Sequence, residues 1–298
     1  LKYGEGLSLK FGDYKLTFAR NRDEKDFPEI LKKWYKCRTG KVLNLDNPQT
    51  LNEKTQWLKL YDNSPLKTRL ADKYLVRDWV KEQIGKEYLI PLLGVWNNFD
   101  EINFDKLPEK FVLKANHGCA WNVIVKDKSN FNKAAAKKKF DKWMKRNYAY
   151  KAGLELQYKD IPPKIIAEQY ITDKNGELND YKVLCFNGEP KFIWIDMGRF
   201  KKRTENIYDI DWNLQPFLLT YENSKEPVPP PQNLAKMIEF ARKLSKDFAM
   251  VRVDFYDVDG KLYFGEMTFT SASGVDKFKP AEYDLKLGQM LELPNANL

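Results

Sequence analysis

The chain has 298 residues, 43% of them hydrophobic, which is enough for one or two domains with buried cores and excludes a wholly disordered polypeptide. Lys and Arg number 51 against 42 Asp and Glu, and this net +9 is spread along the sequence, as on a solvated Lys-rich surface or one that attracts small anions. A single histidine, His117, and three distant cysteines, Cys37, Cys119 and Cys185, exclude a multi-imidazole zinc site and fit reduced thiols in the cytoplasm.

No apolar run is long enough for a membrane helix, and the first 21 residues mix charges with apolar side chains, so neither a span nor a signal peptide is expected. Residue 1 is Leu, which leaves room for a removed leader, a tag remnant or an upstream catalytic domain in the same polypeptide.

The first hundred or so residues are helix-rich by pattern. Helices are predicted over Phe27 to Tyr35, Leu51 to Tyr61 and Leu66 to Ile84, with Trp57, Leu58 and Tyr61 at helical spacing and Asn52 as a cap for the second. After Pro108, short β-rich runs alternate with helices. Phe111 to Ala115 and Asn122 to Lys126 read as strands joined by the polar loop Asn116-His117-Gly118-Cys119-Ala120-Trp121. The basic run Lys137 to Lys139 lies on a helix that ends near Tyr150 and whose other face carries Phe140, Trp143, Met144 and Tyr148. Those aromatics read as core rather than as stacking platforms for bases, so no nucleic-acid partner is expected.

Further on, Lys164 to Ile171 is a predicted strand containing Glu168, and strands Asp180 to Phe186 and Lys191 to Asp196 flank the hairpin signal Asn187-Gly188. The stiff spacer Glu226 to Pro231 precedes a helix with Leu234, Met237, Ile238, Ala241, Leu244 and Phe248 on one face. The last unit is a hairpin of Val251 to Tyr256 and Lys261 to Phe269. A three-residue loop, Val258-Asp259-Gly260, would pair Asp257 with Lys261, Arg252 with Glu266 and Asp254 with Phe264. Alternation then places Arg252, Asp254, Glu266 and Thr268 on one face.

Carboxylates on neighbouring strands serve as divalent-metal ligands, as a general acid and base, or merely in a surface salt bridge. The small residues of Ser271-Ala272-Ser273-Gly274 would let backbone amides approach an anion. Lys114 ends a strand just before the Asn-His-Gly loop, either in solvent or aimed at a phosphate. Glu168, after three apolar residues, sits either at a strand edge or against an adenine amino group.

Taken together, Phe111-Val-Leu-Lys-Ala-Asn-His-Gly118, Ile166-Ala-Glu-Gln-Tyr-Ile171, Asp180-Tyr-Lys182, Val251-Arg-Val-Asp254 and Gly265-Glu-Met-Thr268 resemble the ordered motifs of the ATP-grasp superfamily. The nearer resemblance is to its TupA-like branch, named for teichuronopeptide biosynthesis. It includes the segments Leu51 to Tyr61, Tyr88 to Trp96, Gly176 to Lys182 and Tyr208 to Trp212, and runs from about Lys33 to Pro294.

The resemblance implies an α/β (α+β) ATP-grasp fold with a helix-rich region over 1–109, a small subdomain over 110–171 and a C-terminal subdomain over 172–298, with ATP between the last two. It implies a cytoplasmic, ADP-releasing ligase that forms an amide through an acyl phosphate, with ATP and Mg²⁺ as cofactors. Its substrates would be a uronate and an amino acid, amino alcohol or amino alcohol phosphate, in capsule or cell-wall polysaccharide synthesis.

By position, Lys114, Asn116, His117 and Gly118 would meet or cover the ATP phosphates. Glu168 and Ile171 would hold adenine, and Asp180 with Lys182 would match the Asp-x-basic pair of related ligases. Arg199 and Arg252 would stabilise the transferred phosphoryl group, while Asp254, Glu266 and Thr268 would be the metal ligands. The chain departs from the pattern at Thr268, where Asn is common, and at Cys119-Ala120-Trp121, where Ser and Gly are commoner. Two other readings are a glycosyltransferase using Asp209-Ile-Asp211 or Asp257-Val-Asp259, and a basic polyanion-binding module.

Overall fold

A computed structural model describes residues 17–198 and 203–295. It is a mixed α/β structure built on two antiparallel sheets. Helices α1 (Phe27–Thr39), α2 (Leu51–Tyr61), α3 (Pro65–Ala71) and α4 (Val76–Gln83) come first.

Helix α2 keeps its expected bounds, but its cap is Thr50 rather than Asn52. Thr50 Oγ1 accepts from the Glu53 amide, and Glu53 reaches back to the Thr50 amide, forming a reciprocal capping box. Asn52 is buried inside the helix and instead bonds to residues near the C terminus. The single helix expected over Leu66 to Ile84 is two. The Asp72 carboxylate accepts from the amides of Tyr74 and Leu75, so the chain turns at Asp72 to Leu75 and restarts as α4.

The small sheet has the order β1 (Leu92–Trp96), β4 (Ile165–Gln169), β2 (Phe111–Ala115), β3 (Asn122–Val125). Strand β2 alternates strictly: Phe111, Leu113 and Ala115 are buried toward helix α5 (Lys133–Met144), where Phe104, Phe131 and Phe140 pack around them. Val112 and Lys114 face the other way, into a cleft. Helix α5 stops at Met144, and Tyr148–Tyr150 forms a separate 3₁₀ turn.

The large sheet has the order β7 (Thr204–Asp209), β6 (Glu189–Met197), β5 (Asp180–Phe186), β8 (Met250–Val258), β9 (Lys261–Thr268). Helix α6 (Leu234–Ser245) covers one face, burying Met237, Phe240, Ala241 and Leu244 with Val183, Ile193, Val251, Val253 and Phe255. It ends before Phe248, which is still buried. The opposite face is divided. Leu184, Phe186, Phe192, Trp194 and Ile207 form a second apolar cluster with Leu51 and Leu58 of α2 and Leu287 of α7 (Tyr283–Gln289). Further along the same strands the side chains become polar.

The last hairpin differs in register from the expectation. Its turn is the two-residue Asp259-Gly260, with φ of 50° and 83°, so Val258 pairs with Lys261. A bulge at Gly265 then restores the phase: Phe255 faces Phe264, Asp254 faces Glu266 and Arg252 faces Thr268. A Cβ on Gly265 would sit 3.0 Å from the Asp254 carbonyl oxygen, so the extra residue must be small. The four polar side chains still share one face. Among the described residues no helix is long and apolar enough to cross a membrane.

Candidate active site

The polar half of the large sheet is assembled by cross-strand pairing alone. Lys182 pairs with Asp254 on one side and Trp194 on the other, Asp180 with Asp196, and Asp196 with Glu205. With Arg252, Glu266 and Thr268 these residues line one continuous surface.

Arg252 is its centre. Nε donates to Asp254 Oδ1 at 2.7 Å and Nη2 to Oδ2 at 2.6 Å, a bidentate pair, while Nη1 donates to Ser271 Oγ at 3.1 Å. Nη2 also lies 3.3 Å from Thr268 Oγ1 and 3.6 Å from Glu266 Oε1. Burial pushes the Asp254 carboxyl up, Arg252 pulls it back, and Asp180 adds to the rise. Glu266 moves the other way: burial would raise it, but Lys73 and Arg252 hold it down at about 2.

A second group gathers at the small sheet. Lys114 Nζ donates to Glu168 Oε2 at 2.6 Å, and Arg77 of α4 donates to Oε1 at 3.0 Å. Lys114 and Glu168 line a cleft with Val112, Ile171, Leu178 and Tyr256. Lys73, in the break between α3 and α4, reaches Glu266 Oε2 at 2.9 Å and so joins the two groups.

Asn116 and His117 behave differently from the other expected residues. The buried Asn116 amide donates to Asp72 Oδ2 and the Pro162 carbonyl, and its oxygen accepts from the Lys164 amide. The His117 ring nitrogens lie 3.2 Å from Asn116 Oδ1 and the Trp143 carbonyl, and burial lowers the imidazole. Both side chains therefore brace the loop from within. A Cβ on Gly118 would lie 2.6 Å from the Trp121 ring, so only glycine allows the loop to close on that indole.

Asp180 is buried at the start of β5, 3.8 Å from the Lys182 ammonium, and Lys182 donates to Asp196. Arg203 donates to Asp196 at 2.6 Å and lies over the Tyr221 ring. Burial alone would raise Asp196, but Lys182 and Arg203 hold it low. Arg199 lies outside the described residues.

Lys73, Arg77, Asp196 and Arg203 were not anticipated. The signal for Lys73 was the carboxylate of Asp72 inside an apparently continuous helical pattern; the others carry no local mark. Asp209 accepts from the amides of Asp211 and Asn213, Asp257 from Asn233 and Asp259 from the Lys174 amide, so both Asp-x-Asp segments serve their own turns and junctions.

Among the described residues no group of three or more His, Cys, Asp and Glu side chains forms a ready metal cage. Asp254 and Glu266 supply two hard oxygen donors on facing strands, with the Thr268 hydroxyl 3.4 Å from Glu266 Oε1. This set fits Mg²⁺, which keeps much of its shell as water and substrate phosphate.

The polar sheet face, the cleft beside it and the lysines between them fit a nucleotide-dependent enzyme of the ATP-grasp type. A family model described as TupA-like ATPgrasp matches residues 53–292, and the chain belongs to that family of ATP-grasp ligases.

Solved structures similar to it include D-alanine-D-alanine ligases from Bacillus anthracis (14% identity, TM-score 0.40, 75% of this chain and 67% of that one) and Helicobacter pylori (15%, 0.43, 81% and 69%). The ATP-grasp ligase PsnB complexed with minimal precursor, Mg and ADP is similar at 10% identity, TM-score 0.38, over 73% and 57% of the two chains. No curated protein matches.

Proposed function

We propose that this ligase joins a uronic acid, free, nucleotide-linked or polymeric, to a small amine in the cytoplasm during capsule or cell-wall polysaccharide synthesis. The γ-phosphoryl group passes to a carboxylate oxygen and ADP leaves. The amine nitrogen then attacks the acyl carbon, phosphate leaves, and the nitrogen gives up a proton. The observation that carries this reading is the placement of four cations, Lys73, Lys114, Lys182 and Arg252, around a facing carboxylate pair, Asp254 and Glu266. Such an array neutralises phosphate charge without needing a protein nucleophile.

In this reading Val112, Glu168 and Ile171 hold adenine, and Lys114 and Lys73 hold phosphates beneath the Asn116 to Gly118 loop. Mg²⁺ would be held by Asp254 and Glu266, assisted by Thr268, and would supply charge neutralisation at the phosphates. Lys182, kept in line by Asp180 and Asp196, and Arg252 steady the acyl phosphate, with Arg199 as a further cation. The regions 110–171 and 172–298 are the two jaws and 1–109 the accessory region, although β1 of that region pairs with β4. The test is Mg²⁺-dependent ADP and phosphate release over a grid of uronates and amines, with the amide detected by mass. Release that requires one acid and one amine supports the reading; ATP binding without release on any pair removes the uronate assignment.

A further inference from the structure

The Arg252 guanidinium is held by Asp254 and also by Ser271, whose hydroxyl accepts from Nη1 at 3.1 Å. Ser271 opens the turn that follows β9, and the backbone of that turn is unfavourable. Ala272 and Ser273 have φ of 46° and 54°, and Gly274 follows at 64°. Left-handed residues that carry a Cβ persist only where their surroundings fix them. What fixes these is far away in sequence, on helix α2.

Asn52, Gln56 and Lys59 stand at i, i+4 and i+7, on one stripe of the helix, and all three are buried. Asn52 bonds the amide and the carbonyl of Asp276, both at 2.9 Å. Gln56 Nε2 donates to the Ser273 and Gly274 carbonyls at 3.1 and 2.6 Å. Lys59 Nζ donates to the Ser273 carbonyl at 2.7 Å and to Ser273 Oγ at 2.9 Å, and its third bond goes to Gln56 Oε1 at 2.9 Å. An ammonium has three donors, so Lys59 keeps none for a ligand. A Cβ on Gly153 would come 2.8 Å from Lys59 Nζ and 2.5 Å from Ser273 Oγ, so the chain there lies as close as glycine allows. Just before the turn, Thr270 Oγ1 donates to the buried Glu155 at 2.7 Å and accepts from Gln157 at 2.8 Å.

Burial lowers the Lys59 ammonium, and Glu155 opposes the fall. For packing alone an apolar side chain would serve α2 at lower cost than a buried ammonium. What the ammonium adds is a double hold on one left-handed residue. We infer that Lys59 is a positioning residue: with Gln56 it locks the Ser271 to Gly274 turn in its left-handed form, and the turn holds the Arg252 guanidinium in place through Ser271. The inference rests on the ligase reading for the role of Arg252 and on these contacts for the hold on the turn.

The test uses the full chain and the variants Lys59→Met and Ser273→Ala. Hydrogen exchange read by mass spectrometry needs no turnover: the amides of 271–276 should exchange at least tenfold faster in both, and unchanged exchange would overturn the inference. Ser273→Ala removes only a hydroxyl, so it decides the matter even if Lys59→Met fails to fold. In Mg²⁺-dependent ADP release each variant should lower kcat at least tenfold while KM for ATP stays within twofold; an unchanged kcat would overturn the inference. Lys59→Met on a Ser271→Ala background should cost less than a further twofold, because the path to Arg252 is already cut, whereas losses that multiply would show a merely structural role. If the wild type releases no ADP with any acid and amine, the ligase reading fails instead, and hydrogen exchange still decides whether α2 holds the turn.

Discussion

The ammonium of Lys73 donates to Oε2 of Glu266 across 2.9 Å, joining the break between α3 and α4 to the last strand of the large sheet. The Lys73 amide also donates to the Asn116 carbonyl, so one residue touches the sheet and the loop over the cleft. Burial would lower the Lys73 ammonium, but Glu266 raises it, and the pair stays charged. Lys73→Met should lower kcat/KM for ATP by ~10²-fold, about 2.7 kcal/mol of lost phosphate stabilisation. Steady-state ADP release measures this, and an unchanged value would remove Lys73 from the site.

Asp254→Asn and Glu266→Gln should each reduce ADP release by ~10³-fold or more while the circular dichroism spectrum is unchanged. Chelation of divalent metal should stop the wild-type reaction, and added Mg²⁺ should restore it. Near-normal turnover in either variant would exclude the carboxylate pair as the metal site.

Gly265 sets the phase between these two carboxylates. Gly265→Val puts a branched side chain where even a Cβ lies 3.0 Å from the Asp254 carbonyl oxygen. The strands must shift, at a cost of ~1–3 kcal/mol in denaturant unfolding. The Mg²⁺ concentration needed for half-maximal rate should rise with it, and an unchanged requirement would show that the bulge does not aim Glu266.

Glu205 offers a pH test away from the metal ligands. Burial, with Asp196 adding, drives its carboxyl from 4.5 up to about 7. The unfolded chain therefore loses this proton first, and stability falls as pH rises from about 4.5 to 7. Glu205→Gln should flatten that part of the Tm profile, with a gain of roughly 2–4 °C at neutral pH. Parallel profiles for the two proteins would contradict the burial argument.

Thr50 and Asn52 separate a helix cap from a long-range clamp. Thr50→Ala should cost ~1 kcal/mol, the usual value of a lost cap. Asn52→Ala strips both side-chain bonds to Asp284 and Asp276 from a buried site and should cost more, ~2–3 kcal/mol, in urea unfolding. The reverse order would remove Asn52 as a long-range clamp.

Several elements were legible because their signals are local. Asn187-Gly188 and Gly260 demand left-handed backbone and mark two hairpins of the large sheet; the alternation of Phe111 to Ala115 separates core from cleft. The register of the last hairpin was misread because the turn length and the Gly265 bulge shift the pairing in compensating ways, and alternation senses only their sum. Asn116 and His117 read as ligand groups from their position, whereas their side chains are satisfied by Asp72, Lys164 and Trp143, none of which local pattern brings near.

The ordered motifs and strand alternation were enough by themselves to define the family, the antiparallel hairpins and the shared face of Arg252, Asp254, Glu266 and Thr268, since each depends on neighbours a few residues apart. Only the tertiary structure decided that Lys73 meets Glu266, that Arg77 joins Lys114 on Glu168, and that Asn52 clamps Asp276. These contacts arise when α2, α4 and α7 pack against the sheets to bury apolar side chains, and the burial pattern that drives this packing does not specify which polar residues meet at its edges.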